Sequence, residues 1–188
     1  EYWTAQRQVT ELDAVEIKSI LAPIAYHILS SGVSGVIAQH DLIPLFEHGL
    51  IDQRGCNEAE ARRIGRTMLH DLNEQSGIFL ERGQDTNSQP VYGFLHQTFG
   101  EYLAALYLAQ QMQADTLQLE AYIHRSIWHE PLLLMAGYLS IIDLPRVNTL
   151  IRKILDFPSL HEEMLQRNLL LAADCLADDV NVNPKLRD

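Results

Sequence analysis

The sequence predicts a mainly α chain: three helices closed by a two-stranded β-hairpin, followed by an antiparallel array of further helices. Three observations carry this. Apolar residues recur at helical spacing over most of the 188 residues. The period changes to that of a strand only at Ile78-Phe79-Leu80 and Val91-Tyr92-Gly93-Phe94-Leu95. After His96 helical spacing returns, and the connections are short and marked by proline, which implies antiparallel neighbours.

The first helix is expected over residues 11–30, with apolar side chains at Leu12, Val15, Ile20, Leu21, Ile24, Ile28 and Leu29. Pro23 lacks an N–H and should kink or restart it near Ala22. Ser30-Ser31-Gly32 supplies the stop. A second helix is expected from Asp41 to His48, and a third from Asn57 to about Gln75. Asn57 is a good N-cap, and Glu60 three residues on completes a variant capping box. The buried face of this helix should be Ala61, Ile64, Met68, Leu69 and Leu72. Ser76-Gly77 breaks it. Glu81 to Pro90, between the two strands, is rich in Gly, Asn, Asp, Ser and Gln and reads as the hairpin loop. Three helices and a hairpin in this order outline a winged helix.

Beyond the hairpin, Phe99, Leu103, Leu106 and Tyr107 form a helical stripe, and Ala104, Ala105 and Ala109 allow close packing. Further helical stretches are expected over about 115–124, 127–142, 145–156 and 160–178, with Pro145 and Ser159 suited to helix starts. The final helix, Leu165 to Leu176, is apolar on most sides and calls for cover on more than one face. The tail after Asp178 is polar, contains Pro184 and should fray.

Apolar residues at 47% and charged residues at 21% are a globular balance, and the length allows one or two domains with a real core. No apolar run approaches the ~20 residues needed to span a bilayer, and no signal-peptide pattern is present. The formal net charge of −11 argues against non-specific binding to phosphate backbones. Cys56 and Cys175 are far apart and form no C-x-x-C pair, so neither a zinc site nor a redox motif is expected, and Cys175 reads as core. The chain begins Glu1-Tyr2-Trp3 rather than with Met, and polar, helix-like sequence follows. It is expected to be a piece of a longer, cytoplasmic protein.

The most informative stretch is Phe94-Leu95-His96-Gln97-Thr98-Phe99-Gly100-Glu101-Tyr102-Leu103-Ala104-Ala105. It resembles the signature F-x-H-x-(S/T)-F-x-E-(Y/F)-x-A-A that ends the winged-helix domain of NACHT-type signalling ATPases. Ser76-Gly77-Ile78-Phe79-Leu80-Glu81 is similar to the strand that precedes the wing in that family. Trp128-His129-Glu130-Pro131-Leu132-Leu133-Leu134-Met135-Ala136-Gly137 is similar to the W-x-E helix that follows. Leu169 to Asp178 is similar to a helix of the HEAT-like array that often comes next. The resemblance spans roughly residues 12–178. The chain departs from the pattern at Gly100, where the family often has Gln, and at Pro131, which replaces an aliphatic residue.

The resemblance implies a winged-helix domain over 10–96, a helical domain over 97–180 and a frayed tail over 181–188. It also implies a regulatory role in a bacterial signalling ATPase, in defence. His96 would contact the β-phosphate of ADP held by the upstream nucleotide-binding domain, locking the resting state, and the chain would link that domain to a C-terminal sensor. ADP or ATP with Mg would then belong to the parent protein and not to this chain. The chemistry suits a histidine, which can donate to phosphate either neutral or protonated, and the following helix N-terminus favours anions. Leu69-His70-Asp71 resembles the Met-His-Asp sensor of plant resistance proteins, but it precedes the wing where that sensor follows it, so His70 reads as a helix-surface residue. Glu101 reads as structural, serving the helix dipole or pairing with a basic residue.

No catalytic constellation is visible. There is no G-x-x-x-x-G-K-(S/T) loop, Gly32-Val33-Ser34-Gly35 is no phosphate cradle, and neither H-E-x-x-H nor G-x-S-x-G occurs. His124 and His129 are five apart, a poor fit to one helix face, and His161-Glu162-Glu163 reads as a solvated helix start. No metal site is expected. The candidate recognition helix, 57–75, sets Arg62, Arg63 and Arg66 against Glu58, Glu60, Asp71 and Glu74, a net of −1, and only Arg82 lies in the wing. Nucleic-acid binding is therefore disfavoured. Partners are expected to be the upstream nucleotide domain and other proteins. Two rival readings are a non-enzymatic helical-repeat scaffold and a winged-helix transcription regulator.

Overall fold

The computed structural model describes residues 14–31, 35–177 and 180–183. The expected helix-like start of the chain, Leu12, and most of the Gly32–Gly35 loop lie outside them. The chain divides into two compact units between Ala104 and Ala105.

The first described element of the first unit is α1 (Ala14–Ser31). Pro23 lies inside this helix and does not restart it. A proline in a helix interior costs about 3 kcal/mol. Burying a Leu or Ile side chain returns about 1.5–3 kcal/mol, and Ile20, Leu21, Ile24 and Ile28 are all buried. That burial outweighs the missing hydrogen bond. Val15 is exposed instead.

A two-residue strand, β1 (Ile37–Ala38), comes next and was not anticipated. The second helix, α2 (Gln39–Arg54), begins earlier and ends later than the sequence suggests. Leu42, Phe46 and Leu50 bury one face, and the helix closes at Gly55, whose N–H returns to Ile51 O at 2.8 Å. Arg54 donates twice to the Glu16 carboxylate at 3.0 Å, tying the end of α2 to the start of α1.

Helix α3 (Glu58–Asp71) starts as expected: the Asn57 side chain accepts from the Glu60 N–H at 3.0 Å. Ala61, Ile64, Met68, Leu69 and Leu72 are all buried, as the apolar spacing requires. The α-helix stops at Asp71 and a single π turn, Leu72–Ser76, completes the stretch. Arg62 pairs with Glu47 at 2.8 Å and joins α3 to α2.

The expected two-stranded hairpin forms, and a third strand adds to it. β2 (Phe79–Gln84) and β3 (Pro90–Phe94) form the antiparallel hairpin, and β1 adds to the other side of β3 through Ile37↔Tyr92 and Ala38↔Val91. Two residues are too few to register as a strand period. β2 also runs four residues into the supposed loop, past a bulge between Glu81 and Gly83. The turn proper is closed by the Asp85 carboxylate, which accepts from the N–H groups of Asn87 and Gln89, both at 2.8 Å. Phe79, Tyr92 and Phe94 are buried, with Phe79 stacked on Tyr92 and edge-on to Phe94.

Helix α4 (Gln97–Gln113) begins in the first unit and continues into the second. Leu103 and Leu106 of the expected stripe are buried, whereas Phe99 is exposed. The expected helix over 115–124 does not form. Asp115 takes a left-handed φ of 58°, and only a 3₁₀ turn at Leu119–Ala121 follows. Leu119 and Ile123 are both buried, and their spacing of four imitates a helix where the chain merely plants two anchors.

Trp128 ends a second 3₁₀ turn, Ser126–Trp128, fully buried and edge-on to Tyr122 at 4.9 Å. Helix α5 (His129–Ile142) carries Pro131 in its first turn, where the missing N–H costs nothing. Helix α6 (Leu144–Leu155) is capped by Asp143, which accepts from the Arg146 N–H at 3.2 Å, with Pro145 at its start as expected. The stretch 160–178 is two helices, α7 (Glu162–Leu165) and α8 (Arg167–Ala177), divided at Gln166 with φ 49°. Helices α5, α6 and α8 pack on one another through Leu132, Met135, Leu139, Leu150, Ile151, Leu171 and Cys175.

Ser159 does not start a helix. Its hydroxyl lies 2.5 Å from His124 Nε2 and donates to Asn168 Oδ1 at 2.7 Å. Nor is Glu162 simply solvated: its Oε1 accepts from the N–H groups of Asn168 at 2.8 Å and Leu169 at 3.4 Å, capping α8. Within the expected frayed tail, residues 181–183 are docked. Val182, like Val180 before it, is buried, and Asn183 N–H donates to Asn148 Oδ1 at 2.8 Å. The last helix leaves Leu169 and Leu170 exposed, so its apolar surface is covered on one side only.

Candidate functional site at the strand–helix junction

The site is built where β3 ends and α4 begins. Alternation along β3 sends Tyr92 and Phe94 into the core with Phe79. The last rung of the ladder is Leu95 N–H to Ile78 O at 2.7 Å. Leu95 and His96 then bend the chain, and α4 starts at Gln97, with Phe99 N–H donating to His96 O at 3.1 Å. Two elements of different period meet at His96, and its side chain is exposed there.

The imidazole makes one ring contact, with Phe99 at 6.1 Å between centroids and tilted by 40°. Among the described residues no side chain hydrogen-bonds to it. Leu95, Phe99 and Tyr102 of the same signature are exposed, and of these Phe99 meets the imidazole. Glu101, the acidic signature residue, turns inward: it is 8% exposed and accepts from Gln97 Nε2 at 2.6 Å. Its partner is thus a glutamine one turn back on the same helix.

In the sequence Arg82 stands out only as the basic residue of the wing. It sits on β2 and its Nη2 donates to Phe94 O at 2.5 Å and Leu95 O at 2.9 Å, the two carbonyls preceding His96. No local pattern announces this contact, because it depends on strand register.

His70 is exposed on α3, away from the junction in sequence, and its neighbour Asp71 is buried, which pushes the Asp71 carboxyl above its ordinary range while His70 pulls it the other way. His124 and His129 serve different partners, Ser159 and Asp174. Among the described residues no group of three or more His, Cys, Asp or Glu side chains could hold a metal ion. No helix of the described residues is long and apolar enough to cross a membrane.

Chemically, the junction offers an exposed imidazole at the N-terminal end of a seventeen-residue helix, where backbone N–H groups and the helix dipole favour an anion.

No curated protein and no solved structure matches the chain. A family model does: the winged helix-turn-helix domain C-terminal to NACHT, over residues 2–108, more than half of the chain and inclusive of the whole junction. The three helices, the wing and the strand–helix junction thus have their counterpart in one family, and the chain belongs to the winged helix-turn-helix domains C-terminal to NACHT.

Proposed function

We propose that this chain is the regulatory part of a NACHT signalling protein, and that His96 contacts the β-phosphate of ADP bound in the upstream nucleotide domain, holding the resting state. The observation that carries the proposal is the exposure of His96 at the start of α4. An imidazole in that position can donate to a phosphate oxygen supplied by an adjacent body. A winged helix C-terminal to NACHT is not itself the catalytic domain, and one imidazole contact does not hold a nucleotide alone. The remaining phosphate contacts and Mg belong to the upstream domain, in a cytoplasmic protein. Exchange of ADP for ATP would remove the contact and release the winged helix, a two-state element biased by ligand. The helical unit would carry that release toward a C-terminal sensor.

The test is ADP release from the full-length protein. His96→Ala should speed release and raise basal activity, while the isolated 188-residue chain should bind no ADP measurably. Unchanged ADP release in His96→Ala would refute the proposal.

A further inference from the structure

We infer that Arg82 of the wing is the positioning residue for His96: it clamps the two peptide carbonyls that lead into the histidine and so fixes where the imidazole is presented. This rests on the reading of His96 as the nucleotide contact.

The geometry begins with the bulge in β2. Glu81 pairs with Tyr92 and Gly83 with Val91, so Arg82 is the extra residue without a partner in register. A bulge re-aims the side chain it carries. The stem of Arg82 then runs across β3 at Gly93, where an added Cβ would stand 3.5 Å from Arg82 Cγ. Gly93 has no room for that Cβ in any case, since it would also stand 2.8 Å from Gly35 O. The missing side chain leaves a flat track along which the arginine reaches the end of the strand. There one nitrogen, Nη2, serves both Phe94 O and Leu95 O.

Those two carbonyls belong to the last residue of β3 and the residue after it, where the ladder gives out before the helix begins and backbone acceptors need an outside donor. Hydrogen bonds from an ionised donor are of the stronger kind. Removing the clamp leaves the Leu95–His96 bend held by the single rung to Ile78 and by the start of α4.

Two measurements test this. In the 188-residue chain, Arg82→Gln should speed amide exchange at Leu95 and Phe99 by about tenfold or more, while amides of α2 and α3 that exchange through local openings away from the bend keep their rates. Arg82→Lys, which keeps a charged donor, should retain most of the protection. Unchanged exchange at Leu95 and Phe99 in Arg82→Gln would overturn the inference. In the full-length protein, Arg82→Gln should speed ADP release when His96 is present and add nothing in the His96→Ala background. Equal acceleration in both backgrounds would mean that Arg82 acts elsewhere, which also overturns it. If His96→Ala alone leaves ADP release unchanged, the nucleotide reading of His96 falls, while the exchange data still decide whether Arg82 fixes the bend.

Discussion

Phe94 lies flat against Gly100: a Cβ on Gly100 would stand 3.0 Å from Cδ2 of the Phe94 ring. The ring cannot retreat easily, because Phe79 holds it edge-on at 4.9 Å between centroids. The signature's glycine is thus the residue that lets the first turn of α4 sit down on the wing.

An alanine at an ordinary helix position improves on glycine by about 1 kcal/mol. Here overpacking costs about 1–3 kcal/mol, so Gly100→Ala should destabilise the chain by about 1 kcal/mol. Gly100→Gln, which adds the same Cβ, should do no better. Urea unfolding of both variants measures this, and a stabilised Gly100→Ala would show that Phe94 yields.

Asn168 is 1% exposed and holds three segments together. Its Nδ2 donates to Phe157 O at 2.5 Å and its Oδ1 accepts from Ser159, while its own N–H is capped by Glu162. Asn168→Ala strands the Phe157 carbonyl, which costs about 1–3 kcal/mol when left without a partner, and takes one of two partners from the Ser159 hydroxyl, which keeps His124. A loss of about 2 kcal/mol or more is expected from denaturant unfolding. A loss near zero would mean that water replaces the amide.

His124 shares that cluster. Burial, then the charge of Arg167, lowers its pKa below the ordinary 6.5, against the opposing pull of Glu162 and the hydrogen bond from the Asn168 side. The unfolded chain therefore takes up a proton at this site before the folded chain does, and stability falls as pH drops below about 6.5. His124→Gln removes the titration. The variant should narrow the difference in unfolding midpoint between about pH 7.5 and about pH 5. An unchanged difference would assign the acid sensitivity to other groups.

The two thiols should react in sequence. Both are free, and Cys56 is only partly buried. Cys175 is buried, and burial, with Asp174 adding, pushes its thiol up to about 12. Since the thiolate is the nucleophile, a thiol-labelling reagent near neutral pH should modify one cysteine in the folded chain and the second only with unfolding. Labelling of Cys175 in the folded state would place it in an opening helical unit.

Elements with several turns of consistent spacing were legible in the sequence: α3 with its cap and buried face, α5 with Trp128 before it, and α6 behind Asp143-Leu144-Pro145. What failed depended on contacts distant in sequence. Pro23 is overruled by the burial of its neighbours in α1, and β1 exists only because β3 is there to pair with. Leu119 and Ile123 have helical spacing for reasons of anchoring. The strand-to-helix junction at His96 was legible because its motif is local. Arg82 was not, since a bulge and a glycine on the opposite strand bring it there.

The strand order β1-β3-β2 puts β3 in the middle. The strand that delivers His96 therefore has both edges occupied. The outer edges of the sheet are β1, only two residues long, and β2, which is short, bulged at Arg82 and charged at Glu81 and Arg82. Edges of that kind discourage strand addition. The wing is thereby protected against templating intermolecular sheets, a useful property in a module that would be repeatedly released from its neighbour.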